Sequence, residues 1–183
     1  YIICEILRQT VAELVAGKND IQINSLKCAD IACGSGAFLL ELYQYLYDSL
    51  LDYYLAHDRT KLIQTGPETY KLPFVIKRNL LTNCIFGVDK DYNAVESCKF
   101  GLLLKLLEDE DVNTLSEFRP ILPGLDENIF FGNSLLSHEY VVSELVEEIN
   151  PFSFDERRFD LIVGNPPYMK TEDIKKITPN EKK

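Results

Sequence analysis

The chain has 183 residues, with 19 Lys+Arg against 29 Asp+Glu for a formal net charge of −10, and 46% hydrophobic and 26% charged residues. Those proportions describe one ordinary globular domain able to bury a core, and they exclude collagen, coiled coil and a disordered tail. No apolar run approaches the ~18 residues of a membrane span, no basic-then-apolar leader opens the chain, and the acid surplus argues against a free-standing nucleic-acid binder.

In chain order, Ile3, Ile6, Leu7, Val11, Leu14 and Val15 recur at helical spacing, which predicts an amphipathic helix ending near Gly17. Residues 19–25 read as a polar connector. Residues 26–32 are mainly apolar, as in a buried parallel strand, and run into the tight turn Cys33-Gly34-Ser35-Gly36. From residue 37 to about 56, Phe38, Leu39, Leu42, Leu46, Leu50 and Tyr53 mark a long helix. Residues 57–73, centred on Gly66-Pro67, read as a surface insertion.

A short helix over 74–81 and a second strand over 84–88, closed by Asp89, come next. A helix over 93–107 places Val95, Cys98, Leu102, Leu103 and Leu106 on its apolar face. An acidic stretch, 108–111, leads into a loop rich in Pro and Gly. Residues 128–131 form the third strand, 140–149 a helix and 159–163 the fourth strand. Strands alternating with helices imply a mostly parallel sheet covered on both faces, with ligands at the carboxyl ends of its strands.

The five cysteines are scattered without CxxC spacing, and only His57 and His138 could assist a metal, so no metal site is expected. A reduced, cytoplasmic protein with buried thiols is the expectation. The first residue is Tyr1 rather than Met, which reads as a piece of something longer. The one basic surplus, five lysines against three acids, lies in residues 170–183.

Every distinctive residue follows a strand. Asp30 and the glycine turn follow the first, Asp89 the second, Gly132-Asn133 the third, and Asn165-Pro166-Pro167-Tyr168 the fourth. The turn lacks full GxGxxG spacing and an acid about twenty residues on, so a dinucleotide dehydrogenase fits poorly. A carboxylate ending the second strand can accept both hydroxyls of a ribose, which suggests an adenosine-containing cofactor.

The tetrapeptide at 165–168 resembles the Asn-Pro-Pro-aromatic motif of the amino-methyltransferases, and that resemblance implies its chemistry. An exocyclic amine conjugated to a ring is a poor nucleophile. Two acceptors aimed at its hydrogens draw the nitrogen toward tetrahedral geometry and localise its lone pair. The Asn165 side-chain oxygen and the Pro166 carbonyl can be those acceptors. Pro167 lacks an N–H and forces Pro166 into extended backbone, which holds that carbonyl outside any helix. Tyr168 offers a face on which a base can stack.

At this point the sequence resembles the S-adenosylmethionine-dependent N6-adenine DNA methyltransferases of restriction–modification systems, of the large bifunctional kind. Four pieces in the family's order carry the resemblance: Asp30-Ile31-Ala32-Cys33-Gly34-Ser35-Gly36-Ala37-Phe38, Phe86-Gly87-Val88-Asp89, Gly132-Asn133-Ser134-Leu135, and the ten residues from Phe159 to Tyr168. The resemblance implies a Rossmann-like α/β sheet, here holding the first four or so strands of a partial catalytic domain. Later strands and a target-recognition domain would lie elsewhere.

It further implies S-adenosylmethionine as cofactor. The backbone of Cys33, Gly34, Ser35 and Gly36 would lie by its methionine part, Asp30 by its amino group, Asp89 by the ribose and Asn133 by the adenine. Asn165, Pro166 and Tyr168 would be catalytic. Double-stranded DNA would be the partner of the full-length protein, with weak or no binding by this piece. Other amino-methyltransferases, acting on a protein glutamine or an RNA base, and a non-catalytic scaffold of the same fold are the alternatives.

Overall fold

The structure, a computed structural model, describes residues 2–134 and 159–165. Four parallel strands, β1 (Cys28–Asp30), β4 (Ile85–Asp89), β5 (Ile129–Phe131) and β6 (Leu161–Val163), form a sheet in the order β5-β4-β1-β6. The remaining pair, β2 (Ile63–Gln64) and β3 (Tyr70–Lys71), makes an antiparallel hairpin inside the expected insertion. The chain steps outward from β1 to β4 and β5, then returns to pair β6 against the free side of β1. Strand order therefore reverses between β1 and β6, and α/β sheets open a ligand crevice at such a point.

Side chains alternate across the strands as the pleat dictates. Cys28, Ile85, Ile129 and Val163 join the main core with the helices. Ala29, Phe86 and Val88 form a smaller cluster on the other face, and the partly buried hydrophobics packed against it, Ile31, Phe130 and Phe159, lie outside the described helices. The main core centres on α3 (Ala37–His57), whose Phe38, Leu39, Leu42, Tyr43, Leu46, Leu50 and Tyr54 are buried at helical spacing. Each fully buried Leu there contributes about 2 kcal/mol of transfer free energy. Tyr54 rather than Tyr53 completes that ladder, while Tyr53 stacks on His57 at 4.4 Å. Helix α1 (Ile2–Val15) packs Leu7 and Val11 into the same core.

Several elements depart from the sequence reading. Residues 19–25 are not a plain connector, because α2 (Asp20–Asn24) occupies them. Its capping box is reciprocal: Gln22 N–H donates to Asn19 Oδ1 at 2.9 Å, and Asn19 N–H to Gln22 Oε1 at 3.0 Å. The loop after the acidic stretch holds α6 (Val112–Ser116), capped by Asp111. Helix α4 (Phe74–Cys84) runs directly into β4, and α5 (Tyr92–Leu107) begins on an Asp91 cap.

The insertion is exposed at its tip but locked at its base. Leu72 is buried, and Lys71 Nζ donates to the Asp109 carbonyl at 2.5 Å and to Glu110 Oε2 at 3.1 Å. Lys77 of α4 meets the other Glu110 oxygen at 2.7 Å, and the Glu110 side chain is fully buried. Part of the acidic stretch thus turns inward as a paired charge, as burial requires.

Candidate functional site

The described residues of the four motif pieces gather at the carboxyl ends of β1, β4, β5 and β6. β1 ends on Asp30, paired with Gly87 of β4 on one side and Val163 of β6 on the other. Its Oδ1 accepts from the Ala32 N–H at 3.0 Å, and the residue is only 1% exposed. Burial pushes the Asp30 carboxyl up to about 6; the Ala32 N–H opposes this and the Asp89 charge adds to it.

The glycine turn is held from two sides. Cys33 N–H donates to the Val88 carbonyl at 3.0 Å, and Gly36 N–H to the Cys33 carbonyl at 2.8 Å. Gly36 begins α3 at φ +90°, where a side chain is strained. A Cβ there would also lie 2.6 Å from the Cys98 Sγ of α5. The turn must therefore be glycine for both conformation and clearance.

Asp89 is the organising carboxylate. Its Oδ2 accepts from Gly34 N–H at 2.8 Å and its Oδ1 from Asp91 N–H at 2.9 Å, tying the turn to the start of α5. Its backbone carbonyl takes the Gly132 N–H at 3.0 Å, which brings in the segment after β5. Asn133 is buried there, and Ser134 Oγ donates to the Ile31 carbonyl at 2.8 Å. Lys90, Phe131, Gly132 and Asn133 line an open concavity of about 60 Å³ beside Asp89.

On the far side of β1, Lys27 N–H donates to Asp160 Oδ2 at 2.8 Å, which sets β6 in register. Asn165 is exposed two residues past the end of that strand. Asp30, Cys33, Gly34, Ser35, Gly36, Asp89, Asn133 and Asn165 are thus brought to one edge of the sheet. Pro166, Pro167, Tyr168 and the helix expected over 140–149 lie outside the described residues.

Lys90, directly after Asp89, and Phe131, directly before Gly132, carry no sequence pattern of their own that marks them for the site. Asn128 was also missed as a lock on the entry to β5. Its Nδ2 donates to the Thr82 and Ile85 carbonyls at 2.9 and 2.8 Å.

The donor set suits a cofactor carrying an ammonium, a ribose and an aromatic ring. It offers a buried carboxyl in Asp30, a second carboxyl in Asp89 with lone pairs to spare, and a concavity walled partly by Phe131. Among the described residues no group of three or more His, Cys, Asp and Glu is arranged to hold a metal ion, and no helix is long and apolar enough to cross a membrane. Cys28, Cys33, Cys84 and Cys98 are buried free thiols, with burial pushing Cys28 and Cys84 up to about 12. Cys4 departs from the expectation: it is exposed on α1 and donates to Glu41 Oε2 of α3 at 3.4 Å.

Residues 83–183 match the family model described as Eco57I restriction-modification methylase. The chain is 54% identical over 182 residues to the type II restriction enzyme and methyltransferase RM.Eco57I of Escherichia coli, covering 99% of this chain and 18% of that protein. It is 31% identical over 116 residues to RM.MjaORFECS2P of Methanocaldococcus jannaschii, covering 63% of this chain and 9% of that protein.

Proposed function

The chain belongs to the Eco57I restriction-modification methylase family, and from that premise we propose that it supplies the cofactor-binding and catalytic part of an adenine-N6 DNA methyltransferase within a longer restriction–modification protein. The observation that carries this reading is that Asn165 follows the end of β6, next to β1 at the switch point of the sheet, with Gly164 before it against the Asp30 carboxyl. S-adenosylmethionine is the methyl donor in this reading, double-stranded DNA the partner, and the cytoplasm the compartment.

Asp30 holds the cofactor's ammonium, the backbone of Cys33 to Gly36 packs along its methionine part, Asp89 accepts from its ribose, and Asn133 meets its adenine. When bound, the cofactor supplies an electrophilic methyl group. The remaining work falls to the chain. Asn165 Oδ1 accepts one hydrogen of the target amine and the Pro166 carbonyl the other, which localises the nitrogen lone pair. Tyr168 stacks the base once it has left the duplex. Positioning and electrostatics carry the reaction, with no covalent enzyme intermediate.

The test is transfer of tritium from labelled S-adenosylmethionine to DNA by the full-length protein and by its Asn165→Ala variant. Labelling by the parent, lost in the variant while cofactor still binds, supports the reading; retained labelling in the variant overturns the mechanism.

A further inference from the structure

Gly164 stands one residue past β6, immediately before Asn165. A Cβ on it would lie 2.5 Å from Asp30 Oδ1, 3.2 Å from its Cγ and 3.6 Å from Oδ2. The Asp30 carboxyl therefore fills the space that any other residue at 164 would need. The oxygen nearest Gly164 is also the one that accepts from Ala32 N–H, at the entrance to the glycine turn. One buried carboxyl touches both the turn and the root of the Asn165 segment.

Resting on the methyltransferase reading above, we infer that Gly164 is a positioning residue for methyl transfer: its missing side chain lets the strand end close onto Asp30, which fixes the position of Asn165 relative to the cofactor turn. A side chain at 164 forces one partner to yield, and the surroundings decide which. Asp30 is 1% exposed, flanked by β4 and β6, and bonded to Ala32. Gly164 and Asn165 are exposed, while Val163 before them is buried and in register with Asp30. Gly164 gives way, by about 1 Å to reach ordinary contact. Asn165 moves with it, and Asp30 stays.

A positioning role separates two quantities that a general loss of structure moves together. In the full-length protein, Gly164→Ala and Gly164→Ser are expected to lower the rate of methyl transfer at saturating S-adenosylmethionine by about 100-fold or more, since a 1 Å misplacement costs that much. The cofactor dissociation constant, read by calorimetry, stays within about threefold of the parent, which also reports that the variants are folded. Ile162→Val, on the same strand but half-exposed on the opposite face, leaves both unchanged. A Gly164→Ala protein with parental turnover overturns the inference, as does one whose cofactor affinity falls in step with its rate. The parent measured alongside distinguishes the failures. If the parent labels DNA and Gly164→Ala labels it equally, only the positioning role falls; if the parent labels nothing, the methyltransferase reading falls and takes this inference with it.

Discussion

Gly36→Ala puts the demands on the glycine turn into measurable form. Two costs add. Alanine at φ +90° leaves the conformations open to L-residues, at about 1–2 kcal/mol. The new methyl would meet Cys98 Sγ at 2.6 Å, with the Cys98 Cβ and Cα at 3.3 and 3.4 Å. Cys98 is fully buried on α5, and overpacking of this kind costs about 1–3 kcal/mol. The expected loss is therefore about 2–5 kcal/mol. Urea unfolding followed by far-UV circular dichroism measures it, the chain having no tryptophan to report by fluorescence. Adding Cys98→Ala removes only the steric share, so the double-mutant cycle returns a coupling of about 1–3 kcal/mol and leaves the backbone share behind. A coupling below about 0.5 kcal/mol, within the additivity of independent sites, refutes the contact.

Glu110→Ala leaves the Lys77 ammonium buried without its carboxylate and is expected to cost about 3–5 kcal/mol, read from the urea midpoint; a loss under about 1 kcal/mol contradicts the buried pair. Asp30 titrates at about 6 in the fold against 3.8 ordinarily, so between those pH values the folded state holds a proton that the unfolded state has lost. Stability therefore falls as pH rises through that window, and the buried charge costs about 3 kcal/mol by pH 7. Asp30→Asn removes this term, and its stability advantage over the parent grows from pH 4 to 7; a difference flat with pH contradicts the assignment. Only Cys4 reacts quickly with a thiol reagent in the native protein, the other four thiols reacting after denaturation, and rapid labelling of a second native thiol goes against their burial.

The strands and the glycine turn were legible because apolar runs and glycine punctuation are local signals. The order of the four pieces was legible too, since each ends a strand. Helix α2 escaped because its residues are mostly polar, and the signal that identifies it is the Asn19/Gln22 capping box rather than apolar periodicity. The Lys77–Glu110 pair joins residues 33 apart, and nothing in either neighbourhood marks a charge destined for burial. The same limit hid the contact between Gly164 and Asp30: glycine before Asn165 looks like any small residue until β6 is laid beside β1. The acid surplus, which spoke against nucleic acid, belongs to a chain that spans 18% of its E. coli relative.

In the proposed function, Asn165 and its neighbours activate the exocyclic amine of adenine in DNA. This is tested most directly by incubating the full-length protein with unmethylated genomic DNA and labelled S-adenosylmethionine, digesting the DNA to nucleosides and identifying the labelled one by mass spectrometry. The expected label is in N6-methyldeoxyadenosine, absent with Asn165→Ala. Label in a methylated cytidine, or on protein or RNA rather than DNA, contradicts it.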